Sequence, residues 1–123
     1  MEAGTRKIGE LKETIACEYL KKNGLSVIQR NYQCSRGEID IIARDGNVTV
    51  FAEVRFRNSA NYGHPLETVT WHKQKKLLAT AKHFIQRHRD FADYPCRFDV
   101  LAITLNRGSN ELEWIQNAFD ETV

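Results

Sequence analysis

The chain has 123 residues, 41% of them hydrophobic, and a formal net charge of +2. That length suits one domain spanning 1–123, large enough to bury roughly two-thirds of its unfolded surface and so to fold without metal or disulfide. No apolar run reaches the roughly 20 residues that cross a bilayer, and the opening Met-Glu-Ala-Gly-Thr-Arg-Lys has no apolar core behind it, so it is not expected to act as a signal peptide.

Cys17, Cys34 and Cys96 are odd in number and far apart, and match neither a disulfide framework nor a zinc pattern. Buried or half-buried free thiols in a reducing cytoplasm are the expectation. The small net charge hides an uneven distribution. Residues 55–89 hold eight basic side chains, all four histidines and one acid, Glu67. Residues 90–123 hold seven acids and two basic side chains. A basic block of this kind fits a polyanion such as nucleic acid, and equally a solvated helix face.

A first helix is expected from Glu10 to Asn23, because Leu11, Ile15, Glu18, Tyr19 and Lys22 fall on one stripe and Gly24 supplies a stop. Glu18 interrupts that apolar stripe, while Glu10 and Glu13 point elsewhere, so Glu18 is the candidate carboxylate of this helix. A short strand over 25–32 follows. Asp45-Gly46 is the strongest hairpin signal in the chain, flanked by strands over about 37–44 and 48–56. With Asp45-Gly46 as a two-residue turn, facing residue numbers add to 91, so that Ile39 faces Ala52, Ile41 faces Val50 and Ala43 faces Val48. The other face then holds Glu38 opposite Glu53, with Asp40 and Glu53 as diagonal neighbours and Arg55 beside them.

From Arg57 to Leu66 the chain loses periodicity and reads as an exposed, mobile connection. A second helix begins near Thr70, a good N-cap, and runs to about His88 on a stripe of Leu77, Leu78, Ala81, Phe84 and Ile85. Asp90 to Pro95 connects it to a strand over Arg97–Leu105. Asn106 to Asn110 turns the chain into a last short strand near Leu112–Gln116. Helix, three strands, helix and one or two strands make an α/β fold around a mixed sheet.

Acids packed as closely as Asp40 and Glu53 are costly unless a positive charge lies between them. Mg²⁺ takes oxygen ligands and keeps several waters, so Asp40, Glu53 and the Val54 carbonyl form a minimal site that Glu18 or Glu38 would complete. Such a site suits phosphodiester hydrolysis, which needs an activated water and charge neutralisation. The spacing alone leaves open a metal-free pair of exposed sheet-face acids. His83 and His88, five apart, miss the spacing of a helical metal pair and read as ordinary histidines. His64 and His72 read as polar surface, Asp99 as a structural hydrogen-bonding residue, and Trp71 as a packing residue before a base-stacking one.

The stretch Gly37-Glu-Ile-Asp-Ile-Ile-Ala, followed by Phe51-Ala-Glu-Val-Arg-Phe-Arg, resembles the central motif of the PD-(D/E)XK nuclease superfamily, which includes restriction endonucleases and Holliday junction resolvases. The whole chain, from about Gly9 to Phe119, is similar to the YraN family of small bacterial proteins. The similarity takes in Ala16-Cys-Glu-Tyr-Leu, Asn31-Tyr, Thr68-Val-Thr, Lys73-Gln-Lys, Arg97-Phe-Asp-Val and Asn117-Ala-Phe. The resemblance implies a restriction-endonuclease-like αβββαβ core. It assigns Asp40 and Glu53 to the motif acids and Glu18 to the first-helix glutamate, with Mg²⁺ or Mn²⁺ as cofactor. It also implies DNA, structured or branched, as the partner. Resolvase-like relatives are often dimers, so a homodimer is an expectation by analogy, although the chain shows no clear self-complementary stripe.

The sequence departs from the superfamily pattern in two places. Ile39 stands where many members have proline, which matters little for chemistry. Arg55 stands where the catalytic lysine is expected, and a guanidinium cannot act as a base, though it still stabilises developing negative charge. Lys73 is the candidate replacement amine, but its direction cannot be read from sequence. Arg57, Lys73 and Lys76 are the expected backbone-phosphate contacts. Three readings follow: a metal-dependent nuclease-like protein, a nucleic-acid-binding protein that kept the fold and lost cleavage, and a protein-interaction module with an acidic tail.

Overall fold

A computed structural model describes the backbone of residues 2–57, 69–106 and 109–119, and the side chains of these except 2–9, 57, 105, 106, 109 and 110. The elements are α1 (Glu2–Lys22), β1 (Ser26–Cys34), β2 (Gly37–Asp45), β3 (Val48–Arg57), α2 (Trp71–Arg87), a short 3₁₀ turn (Arg89–Phe91), β4 (Cys96–Asn106) and β5 (Ser109–Phe119). One sheet has strand order β1-β2-β3-β4-β5. All neighbours are antiparallel except β3 and β4, which run parallel and need the α2 crossover between them. The expected αβββαβ order is therefore present, with β5 a full strand rather than a short one.

The two helices cover opposite faces of this sheet. Ile42, Phe51, Phe98 and Val100 pack with Leu77, Ala81 and Phe84 of α2. Ile41, Val50, Ala52, Leu101 and Ile103 pack with Ala16, Cys17 and Leu20 of α1. Both faces being covered explains why β4 carries the continuous apolar run Val100–Ile103 instead of a clean alternation. Cys34 is half-buried, as expected of a free thiol here, but Cys96 at the start of β4 is exposed.

The end of α1 is set by Gly24, whose φ of +89° is left-handed. Leu25 N donates to the Leu20 carbonyl at 3.0 Å and Gly24 N to that of Lys21 at 3.0 Å, the paired bonds of a Schellman cap. Thr70 caps α2 as the sequence indicates, its hydroxyl accepting from Lys73 N at 3.2 Å. Asp99 is structural, as read from the sequence. It is 1% exposed, accepts from Arg97 Nε, Trp114 Nε1 and Asn117 N, and so pins β5 where its register slips.

Two further sequence expectations are corrected. The hairpin pairs Asp45 with Val48, Ala43 with Val50 and Ile41 with Ala52, so facing numbers add to 93 and the loop is Gly46-Asn47. Gly46 takes the left-handed conformation, φ +61°, as the first loop residue, where a II′ turn wants glycine. The two-residue slip preserves which side chains share a face. It moves Glu38 away from Glu53 and carries Asp40 towards it. The second correction concerns α1. Leu11 is 61% exposed and Glu18 lies at the surface. The buried line is Ala16, Cys17 and Leu20, with Glu13 one turn earlier on the same face.

Candidate functional site: an acidic cleft between the hairpin and the second helix

In a regular strand Ile39 and Ile41 would share a face. Here Ile39 joins the core under α2 and Ile41 the core under α1. The neighbouring strand changes with it: Arg30 reaches Glu13 of α1, while Tyr32 reaches His83 of α2. Between these two residues Asn31 has φ +55°, a left-handed conformation that asparagine tolerates. The alternation therefore breaks at Asn31 and Asp40. The regular pairing of β2 with β3 ends at Ile41 and Ala52, one step before Asp40 and Glu53. The break frees Asp40 from the regular ladder, and its Oδ2 accepts the Val54 N–H at 2.8 Å.

Asp40 and Glu53 line one cleft of about 420 Å³ together with Gly37, Glu38, Lys73 and Lys76. Glu53 is 4% exposed. Its Oε1 meets Lys73 Nζ at 3.1 Å and Arg55 Nη1 at 3.4 Å. Lys73 thus turns from the first turn of α2 into the acid site. Asp40 is pushed up to about 7, first by burial and then by the Glu53 carboxylate, against the pull of the Val54 N–H. Glu13 and Glu38 add smaller like-charge contributions.

The sequence-derived residues divide clearly. Asp40, Glu53, Arg55, Lys73 and Lys76 are brought together. Arg57 ends β3, and its side chain lies outside the described residues, as do 58–68 of the expected loop. Glu18 is not part of the cleft. Its side chain is 62% exposed and pairs with Lys21 at 3.8 Å. The first-helix acid on the sheet side is Glu13, whose side chain is 15% exposed and lies 3.6 Å from Arg30 Nη2. Its Oε1 is buried without a hydrogen-bond partner. Glu13 was legible in principle, since Glu13, Ala16, Cys17 and Leu20 are spaced i, i+3, i+4 and i+7. Trp71 stands half exposed at the start of α2, under Lys75 Nζ at 4.3 Å.

Among the described residues no three His, Cys, Asp or Glu side chains gather as metal ligands. Asp40 and Glu53 are the acid pair that a cation would meet in the cleft, Glu53 already facing Lys73 and Arg55. Such a pair matches Mg²⁺, which is commonly held by one or two carboxylates with water filling its other positions. Asp40 supports the fit, because an acid whose ionised form is so disfavoured gains most from a nearby cation.

A sequence profile described as "Uncharacterised protein family UPF0102" matches residues 12–103. The chain belongs to the UPF0102 family. UPF0102 proteins similar to it include one from Coxiella burnetii, 45% identical over 94% of each chain. One from Nitrosococcus oceani is 43% identical over 93% of this chain and 92% of its own. One from Legionella pneumophila is 40% identical over 94% of this chain and 97% of its own. The UPF0102 match, residues 12–103, includes every residue that lines the cleft, from Gly37 to Leu77, and Glu13 as well. Among the described residues no helix is long and apolar enough to cross a membrane.

Proposed function

We propose that this UPF0102 chain is a metal-dependent nuclease of the PD-(D/E)XK superfamily, acting on structured or branched DNA. The observation that carries the reading is Lys73 Nζ at 3.1 Å from Glu53 Oε1. It brings an ammonium from α2 to the acid pair, where the superfamily pattern expects a lysine at position 55. Asp40 and Glu53 hold Mg²⁺ or Mn²⁺, which when bound supplies charge neutralisation and an activated water. Lys73 and Arg55 stabilise negative charge developing on the scissile phosphate. Lys76, on the cleft wall, takes a neighbouring phosphate. Glu18 has no role in this scheme, and Glu13 takes its place as the acid behind Asp40.

Arg55 favours a second reading. Its guanidinium lies 3.4 Å from Glu53 and cannot accept a proton, as suits a protein that binds DNA without cutting it. Incubation with duplex, single-stranded and four-way-junction DNA in Mg²⁺ or Mn²⁺ separates the two. For a nuclease, Asp40→Ala abolishes cutting and spares binding. Lys73→Ala lowers the rate about 10²-fold or more, and Arg55→Lys raises it. Binding by every form with no cutting in either metal selects the second reading. Cutting that rises with pH through about 7, at a midpoint moved down by added metal, identifies Asp40 as the group for which proton and metal compete.

A further inference from the structure

A second groove lies across a tight contact from the acid cleft and has no part in the scheme above. Gly37 has φ +153°, and a Cβ there would meet Thr80 Oγ1 at 3.0 Å and Lys76 Cβ at 3.6 Å. This close approach ties the start of β2 to the middle of α2. The acid cleft opens on the side of Gly37 and Lys76. On the side of Arg36 and Lys75 lies a groove of about 410 Å³, which Lys82 and His83 also wall. His83 is shared with a further groove of about 440 Å³ that Arg87 borders.

The lining is unusual in its charge. Arg36, Lys75, Lys82 and Arg87 contribute four cations, and among the described residues no acidic side chain lines either groove. A solvated helix face normally interleaves acids at i, i+4, yet α2 contains no acid from Trp71 to Arg87. His83 is also held in place. The hydroxyl of buried Tyr32 lies 2.6 Å from its Nδ1, which fixes the ring and leaves Nε2 as the nitrogen available to a ligand. A cationic track with one oriented imidazole suits oxyanions spaced along a polymer.

We propose that these grooves bind the sugar–phosphate backbone of nucleic acid as a second contact, beyond the acid cleft and along α2. The proposal rests on the nucleic-acid part of the reading above, and not on cleavage. From Lys73 to His83 is ten helical residues, about 15 Å, or roughly four steps of duplex at 3.4 Å per step. A duplex arm entering the cleft therefore reaches both contacts at once. Such contacts position the substrate without reading its sequence.

The test is fluorescence anisotropy of labelled duplex and four-way-junction DNA, in chelator, across a salt series. Arg36 and Lys82 are exposed, so Arg36→Gln/Lys82→Gln is expected to fold, as circular dichroism will verify. The expected result is roughly tenfold weaker binding at moderate salt and a log–log salt slope about two smaller in magnitude. Arg87→Gln, an independent single variant, lowers the slope by about one. Wild-type slopes in both variants overturn the proposal, as does failure of the wild type to bind DNA at low salt. Displacement of DNA by polyglutamate, charge for charge as well as by competitor DNA, assigns the grooves to an acidic polypeptide and also overturns it. A changed slope with no cutting in any metal keeps this proposal and removes the nuclease reading. Cutting with an unchanged slope does the reverse.

Discussion

Asp40 is held where its charge is unwelcome. Burial and the Glu53 carboxylate raise it from 3.8 to about 7, so between those values the folded chain keeps a proton that the unfolded chain has released. Stability therefore falls as pH rises from about 4 to 7, by at most about 4 kcal/mol. Asp40→Asn keeps an oxygen for the Val54 N–H and removes the titration. Its melting temperature is expected to exceed the wild type's at pH 8, and its stability to lose the fall between pH 4 and 7, both measured by thermal scans in chelator. Adding Mn²⁺ or Mg²⁺ at pH 8 raises the wild-type midpoint and leaves that of the asparagine variant in place. Parallel stability–pH curves for the two proteins would show that Asp40 is not the strained group. Glu53 differs because two cations already face it, so the pair divides into one acid that is compensated and one whose ionised form is disfavoured.

At the level of elements, what could be read in advance followed from local chemistry. Thr70 as a cap, Gly24 as a stop and the order of the elements each depend on residues within one turn of one another. The hairpin register depended on which two residues form the loop. Asp45-Gly46 and Gly46-Asn47 are both good turn pairs, and both registers put the same side chains on the same face. Apolar matching could not choose between them, although the choice decides whether Glu38 or Asp40 approaches Glu53. The face change at Asn31 and Asp40 was hidden for a similar reason. Asparagine is an ordinary strand-end residue until its φ is known. Gly37 tests the joint between β2 and α2. Gly37→Ala adds a Cβ 3.0 Å from Thr80 Oγ1 at a φ that side chains rarely adopt, and is expected to cost about 1–3 kcal/mol in urea unfolding. The same change at Gly46, where a Cβ meets nothing within 4 Å, costs less, because only its left-handed φ resists substitution.

For the molecule as a whole, the cleft is a product of tertiary packing. Two strands bring the acids and α2 brings Lys73 across one face of the sheet, while Glu13 of α1, outside the cleft lining, adds a like charge to Asp40. Lys73 was a candidate amine in the sequence, but its direction depends on how α2 crosses from β3 to β4. The first-helix acid depends in the same way on how α1 is rotated against the sheet. Leu11, Ile15 and Tyr19 make a plausible apolar stripe with Glu18 in it, and Ala16, Cys17 and Leu20 make another with Glu13 in it. Small residues let the helix approach the sheet more closely, and the second stripe is the fully buried one, with Ile15 and Tyr19 packed partly buried against the same core. Charge-neutral substitutions distinguish the two acids. Glu18→Gln removes an exposed pair with Lys21 and is expected to change stability by less than about 0.5 kcal/mol, with cutting and metal response unaltered. Glu13→Gln removes a buried like charge near Asp40, so the stability fall between pH 4 and 7 becomes shallower. If Glu13 also helps hold the cation, the rise in melting temperature with Mn²⁺ shrinks as well. A variant pair with the opposite ranking would mean that α1 sits against the sheet through the other stripe, and that the acid behind Asp40 comes from elsewhere.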